Sequence, residues 1–192
     1  MSLVERVDVL VAIILGLALA ELATSFHRLM RAGKRVQWDW MSPALAFVML
    51  LETVQFWWLS KTWYVNATEL RLLEFLPRLL LLLLIYLLAA AVLPDEVPEK
   101  GVNLRTFYVE TSRYFWALVL LLTLFIMIVL VPTGSRSDYF GGLAKHEALD
   151  AIVLVVAIGA LSIRNIRVQQ GAVIFLFALT SWVYVGSARA FQ

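Results

Sequence analysis

The chain predicts an all-α integral membrane protein, six transmembrane helices packed as one bundle over residues 1–192, and three observations carry that prediction. The 192 residues are 62% hydrophobic and only 16% charged, with a mean hydropathy of +0.85, whereas about a quarter of the residues in a soluble domain are charged. The apolar runs recur at intervals that allow roughly 25 to 30 residues for each span and its connection, which leaves no length for a separate soluble domain. Lys and Arg collect at the ends of those runs, as topology signals and headgroup anchors do.

The first helix is expected over about 7–30. Val9 to Ala20 is uninterrupted apolar or Gly sequence, after which Glu21, Thr24, Ser25 and Arg28 fall on one helix face. A carboxylate such as Glu21 facing lipid costs on the order of 3 kcal/mol, so that face is expected to turn inward. On a neighbouring face Ala12, Gly16, Ala20 and Thr24 recur every fourth residue, a ridge that admits another helix backbone within a bilayer. Ala18-Leu19-Ala20 has the form of a signal-peptidase site, but Glu5, Arg6 and Asp8 deny the preceding segment a positive charge, so an uncleaved span is expected.

The basic connection Arg31, Lys34, Arg35 leads to Trp38 and Trp40 at the interface. Asp39 and Ser42 are candidate N-caps, and with Pro43 early in the helix they predict a second span over 41–59. It ends in the aromatic belt Trp57, Trp58, Trp63, Tyr64. Glu52 falls near its middle, with Gln55 about a turn later. The third helix, 72–93, begins amid charges: Arg71, Glu74 and Arg78 share a face, Glu74 and Arg78 are spaced to pair, and Pro77 is placed to kink or loosen it. The polar turn 94–101, with two prolines, is the midpoint of the chain.

A fourth helix is expected over 104–131, presenting Thr106, Glu110 and Arg113 on one face before Pro132 and Gly134 stop it. After a longer connection with Gly141-Gly142 as its turn, two shorter spans follow at 148–163 and 171–190, with Arg164 and Arg167 between them. Three helices, a turn and three helices is the layout of an inverted repeat. The halves share no position-by-position similarity, so six unrelated spans are expected. Nine of the 16 Lys and Arg residues lie at connections one, three and five, four of them at the first. That places these connections inside and both termini outside a cytoplasmic-type (inner) membrane.

Much chemistry is disfavoured by residue type. A formal charge of +2 makes nucleic acid an unexpected partner, and the absence of cysteine removes disulfides, thiolate metal sites and iron–sulfur clusters. The lysines Lys34, Lys61, Lys100 and Lys145 lie in connections or at helix ends, where no retinal Schiff base forms. The two histidines, His27 and His146, fall on opposite membrane sides, which disfavours bis-histidine haem. Ser135 and Ser137 lack a nearby histidine, and no hydrolase or phosphate-loop motif occurs. No catalytic residue, cofactor or metal ligand is therefore assigned, although lipid-active enzymes can work with dispersed carboxylates and arginines.

The intramembrane charges remain. Counting from the helix ends at 1.5 Å per residue puts Glu52 roughly 12 Å and Arg78 roughly 9 Å from the same side, so those two can meet. Glu21 and Arg113 form a second depth-matched pair at the other side. Glu21, Arg28, Glu52, Gln55, Glu74, Arg78 and Arg113 are the candidate polar pathway or ion pairs. As a pathway they predict a small channel or transporter for protons, ions or a polar solute. As buried pairs that only fix helix register they predict a non-catalytic scaffold or accessory subunit binding another membrane protein. Either way the partners are the lipid bilayer and, through the small-residue faces, a second copy or another membrane protein.

Overall fold

A computed structural model describes residues 3–60, 72–130 and 143–189, with side chains described at 5–58, 60, 75–129 and 148–185. Among the described residues it is all-helical, with six helices: α1 (Leu3–Ala32), α2 (Met41–Ser60), α3 (Leu72–Ala91), α4 (Leu104–Phe125), α5 (Leu143–Ser162) and α6 (Ile166–Arg189). Three stretches are long and apolar enough to cross a membrane, Glu5–Arg35, Leu104–Val129 and Ile166–Val185, while α3 and α5 hold the shorter apolar stretches Phe75–Ala91 and Ala148–Ser162. The residues Trp63, Tyr64, Arg71, Pro132, Gly134 and Gly141-Gly142, on which several expectations fall, lie outside the described set.

Local chemistry sets the helix ends. Gly33, at φ +54°, ends α1 in the left-handed conformation that only glycine adopts without strain. Asp39 Oδ1 accepts from the Met41 N–H at 3.0 Å and starts α2. Ser42, the other candidate cap, is instead buried, and its hydroxyl has no hydrogen-bond partner among the described residues. Helix α3 runs through Pro77 without a break in its assignment. Asn103 caps α4, its Oδ1 accepting from the Arg105 and Thr106 N–H groups at 2.9 and 3.2 Å. Past Phe125 the helix widens into a π-turn, Ile126–Leu130. Helices α5 and α6 start at Leu143 and Ile166, ahead of the apolar runs at 148 and 171, because their polar first turns are already helical.

Helix α1 packs on α2 and α3, α3 on α4, α4 on α5, α5 on α6 and α6 on α2, which closes the six into a ring; α2 also touches α3 and α4. The inward face of α1 is Val7, Val11, Leu15, Ala18, Leu22, Ser25 and Leu29. Ala12, Gly16, Ala20 and Thr24 face outward, so the small-residue ridge does not serve contacts within this chain. The reason is geometric: the α1 seam follows the larger aliphatic residues, which are buried where α1 meets α3 and α2.

On one face of the bundle the first and third connections are fastened together. Strands β1 (Val36–Gln37) and β2 (Val102–Asn103) pair in parallel, Val36 with Val102 and Gln37 with Asn103. Asn103 Nδ2 donates to Gln37 Oε1 at 2.6 Å, and Arg28 donates to the Asp95 carbonyl. Gly101, at φ +85°, lies so close to the Arg35 backbone that a Cβ would sit 2.3 Å from its carbonyl oxygen.

Candidate functional site: a polar cavity between five helices

Apolar surface dominates the interior, so polar groups that enter it are conspicuous. One cavity, of about 190 Å³, lies between α2, α3, α4, α5 and α6, and its wall includes Glu52, Gln55, Thr123, Asp150 and Thr180. Packing of α2 on α6 sets the alignment there. Phe47 and Phe177 meet with ring centroids 5.8 Å apart, and beyond them the Thr180 hydroxyl donates to Glu52 Oε1 at 2.8 Å. Thr123 donates to the Val119 carbonyl of its own helix at 2.8 Å. Gln55 Oε1 is buried and has no hydrogen-bond partner among the described residues. An orphaned acceptor beside a cavity is an unusual arrangement, since buried polar atoms are nearly always satisfied.

A second buried polar cluster is fully connected. The Tyr108 hydroxyl donates to Gln169 Oε1 at 2.8 Å, and Trp116 Nε1 lies 3.0 Å from the same oxygen and 3.2 Å from the Tyr108 hydroxyl. Gln169 Nε2 donates in turn to the Ala160 and Ile163 carbonyls at 2.6 and 3.0 Å. This cluster satisfies the carbonyl end of α5 and ties α6 to α4. Its donors and acceptors are engaged with one another, which marks it as structural.

The residues singled out by sequence are not brought to one place. Glu52 and Gln55 line the cavity, whereas Arg78, partly buried on α3, does not. Glu52 is met by Thr180, so depth along the helix selected the wrong partner: α2 presents Glu52 towards α6. Glu21 is partly buried and accepts from Ser25 of its own helix at 3.1 Å. Arg113 is exposed on α4, which is not a principal neighbour of α1, so the second depth-matched pair is not formed either. Arg28 is exposed and holds the third connection through Asp95. Glu74 belongs to α3, but its side chain lies outside the described residues.

Sequence reasoning missed Asp150 and the Tyr108–Trp116–Gln169 cluster. Asp150 was legible: it is the single acidic residue in the apolar stretch Ala148–Ser162, the criterion that singled out Glu52. Starting that helix at 148 made Asp150 look terminal, whereas α5 has already completed about two turns there. Among the described residues no three His, Cys, Asp or Glu side chains stand together as metal ligands. No family model, no curated protein and no solved structure matches this chain.

Proposed function

We propose that the protein is a small membrane channel or transporter, with the cavity of Glu52 and Asp150 forming part of its path for a proton, an ion or a polar solute. One observation carries this reading: acidic side chains from two different helices line a single cavity inside an otherwise apolar bundle. Ionisable groups at membrane depth are expensive and are kept chiefly where a path or a partner uses them. In this reading all six helices cross the bilayer. Each has at least 20 residues, a length of about 30 Å, which matches the hydrocarbon core. Large apolar side chains also point outward on every helix, among them Leu17, Phe47, Leu83, Leu121, Val155 and Ile174. The membrane is of the cytoplasmic type, with both termini on the outer side.

The test is proton and ion flux into liposomes holding the purified full chain, with Glu52→Gln and Asp150→Asn at matched incorporation. Flux above empty liposomes that both substitutions reduce at least several-fold, with the fold retained, is the expected result. Absence of flux under pH gradients and applied potentials would remove the proposal. A second reading, a scaffold or accessory subunit, is favoured by the outward Ala12, Gly16 and Ala20 of α1, where a Cβ added at Gly16 would meet, among the described residues, nothing within 4 Å beyond its chain neighbours and its own helix backbone. That face fits a helix of another copy or of another membrane protein.

A further inference from the structure

The cavity is polar towards one end only. Along α2 its wall passes from Val48 to Glu52 and Gln55, along α4 from Phe115 to Thr123, and along α6 from Leu176 to Thr180. These three helices advance together: Phe47 meets Phe177 before Glu52 meets Thr180, and Ser42 and Leu45 share a crevice with Tyr108 and Ser112, near the start of α4. The polar residues of all three therefore gather at one end, and the other end is apolar. Helix α3 adds only Ile85 and Leu88 to the wall.

Most of the polar groups are already matched. Glu52 accepts from Thr180, Thr123 donates to the Val119 carbonyl, and Asp150 is engaged in an interaction of its own. Gln55 Oε1 differs: it is buried without a hydrogen-bond partner among the described residues. A terminal amide turns about χ3 over a broad range, so this oxygen can be brought onto a donor that enters the cavity. The amide carries an acceptor and a donor side by side, and a hydroxyl, which also donates and accepts, is its complement.

Other occupants fit less well. No Lys, Arg or His lies among the lining residues, so an anion would face carboxyls at low dielectric with no positive group on the described wall. A divalent ion calls for a dense set of oxygens, and no three acidic or imidazole side chains gather among the described residues. Water alone is poorly served by the apolar end, because each buried water needs several polar partners. An apolar cavity of ~150 Å³ stays dry and takes up benzene. One of about 190 Å³ has room for a single ring and a hydroxyl.

Resting on the reading above only in taking the cavity to be reachable from outside the bundle, we propose that it binds a small neutral amphiphile, one apolar ring or its aliphatic equivalent carrying a hydroxyl. The hydroxyl pairs with the Gln55 amide, and the apolar body lies against Val48, Ile85, Phe115 and Leu176.

The experiment is a fluorine NMR titration of the full chain in lipid nanodiscs with para-fluorophenol and, separately, with para-fluorotoluene, which has nearly the same shape and no hydroxyl. Protein-free nanodiscs set the background of partitioning into lipid. Saturable binding of para-fluorophenol above that background is expected, about three- to tenfold tighter than that of para-fluorotoluene, the fold-change of one neutral hydrogen bond. Gln55→Leu should abolish the preference and leave para-fluorotoluene bound as before. Removing an unmatched buried acceptor costs the fold little, and Gln55→Met repeats the test if the leucine variant does not fold. Val48→Phe, which fills the apolar end, should weaken both probes alike, several-fold or more. Gel filtration and circular dichroism establish folding. Lack of saturable para-fluorophenol binding by folded wild type, as for a cavity that holds only water, overturns the proposal. So does equal affinity for the two probes, or a preference that survives in a folded Gln55→Leu. Binding without flux in the liposome test supports the site and removes the transport reading; flux without binding does the reverse.

Discussion

At the scale of single residues, Gln169 joins α6 to α4 and to the end of α5 through one amide. Its amide reaches Tyr108, Trp116 and the carbonyls of Ala160 and Ile163 at once. An average hydrogen bond between membrane helices is worth only about 0.6 kcal/mol, but removing this side chain orphans several buried groups together, each at a cost of roughly 1 kcal/mol or more. Gln169→Leu is therefore expected to lower stability by roughly 2–3 kcal/mol, measured as the midpoint of unfolding when a denaturing detergent is titrated into mild micelles. A loss no larger than that of a single bond would show that the cluster is not cooperative. None of this was visible in the sequence, because Tyr108, Trp116 and Gln169 are separated by up to 61 residues and each alone looks like an interface residue. Glu52 was visible for the opposite reason: a lone carboxyl in an apolar run stands out wherever the partner is. Its partner was not visible, because sequence depth gives position along a helix but not the direction in which the helix turns it.

At the scale of elements, helix ends that depend on one local group were easier to read than helix faces. Asp39 starts α2 by accepting from the Met41 N–H, an interaction contained within three residues. Asn103, which caps α4 and also donates to Gln37, escaped notice because half of its role depends on a strand on the other side of the α2–α3 hairpin. The two-residue ladder is too short to leave any alternation in the sequence. It makes Gly101 and Gly33 unequal despite their shared positive φ. Alanine at Gly33 meets open space and should cost about 1 kcal/mol for the left-handed backbone alone. Alanine at Gly101 must also displace the Arg35 carbonyl, for a total of about 2–3 kcal/mol. Comparing the two variants in the same detergent titration checks this, and equal losses would mean that the ladder yields without penalty.

For the whole molecule, composition and run length sufficed for an all-helical, membrane-compatible chain, since they depend only on sums along the sequence. They could not supply the ring order, in which α1 neighbours α3 and α2 neighbours α6. These contacts are non-sequential and arise from which faces fit. The lack of native cysteine makes topology directly measurable, because any introduced cysteine is unique. With six crossings, single cysteines replacing Gln37, Lys100 and Asn165 should all be labelled by an impermeant maleimide from one side of sealed vesicles, and Glu5→Cys only from the other. Labelling of Gln37 and Asn165 from opposite sides would contradict six crossings and return attention to the three longest apolar stretches.

The β1–β2 ladder also has a meaning in time. Gln37 waits for Asn103, 66 residues further along the chain, and at about 5–20 residues per second of synthesis that wait lasts roughly 3–13 seconds. During it the first connection carries an open strand edge, and α1 lacks the hold that the ladder gives it on the third connection. Only when Val102 and Asn103 emerge can the ladder close, with α2 and α3 already synthesised between the two strands. The ladder thus runs on the ribosome's clock: both of its strands are synthesised before α4 is complete, whereas the acidic cavity, which also needs α4, α5 and α6, can be completed only at the end.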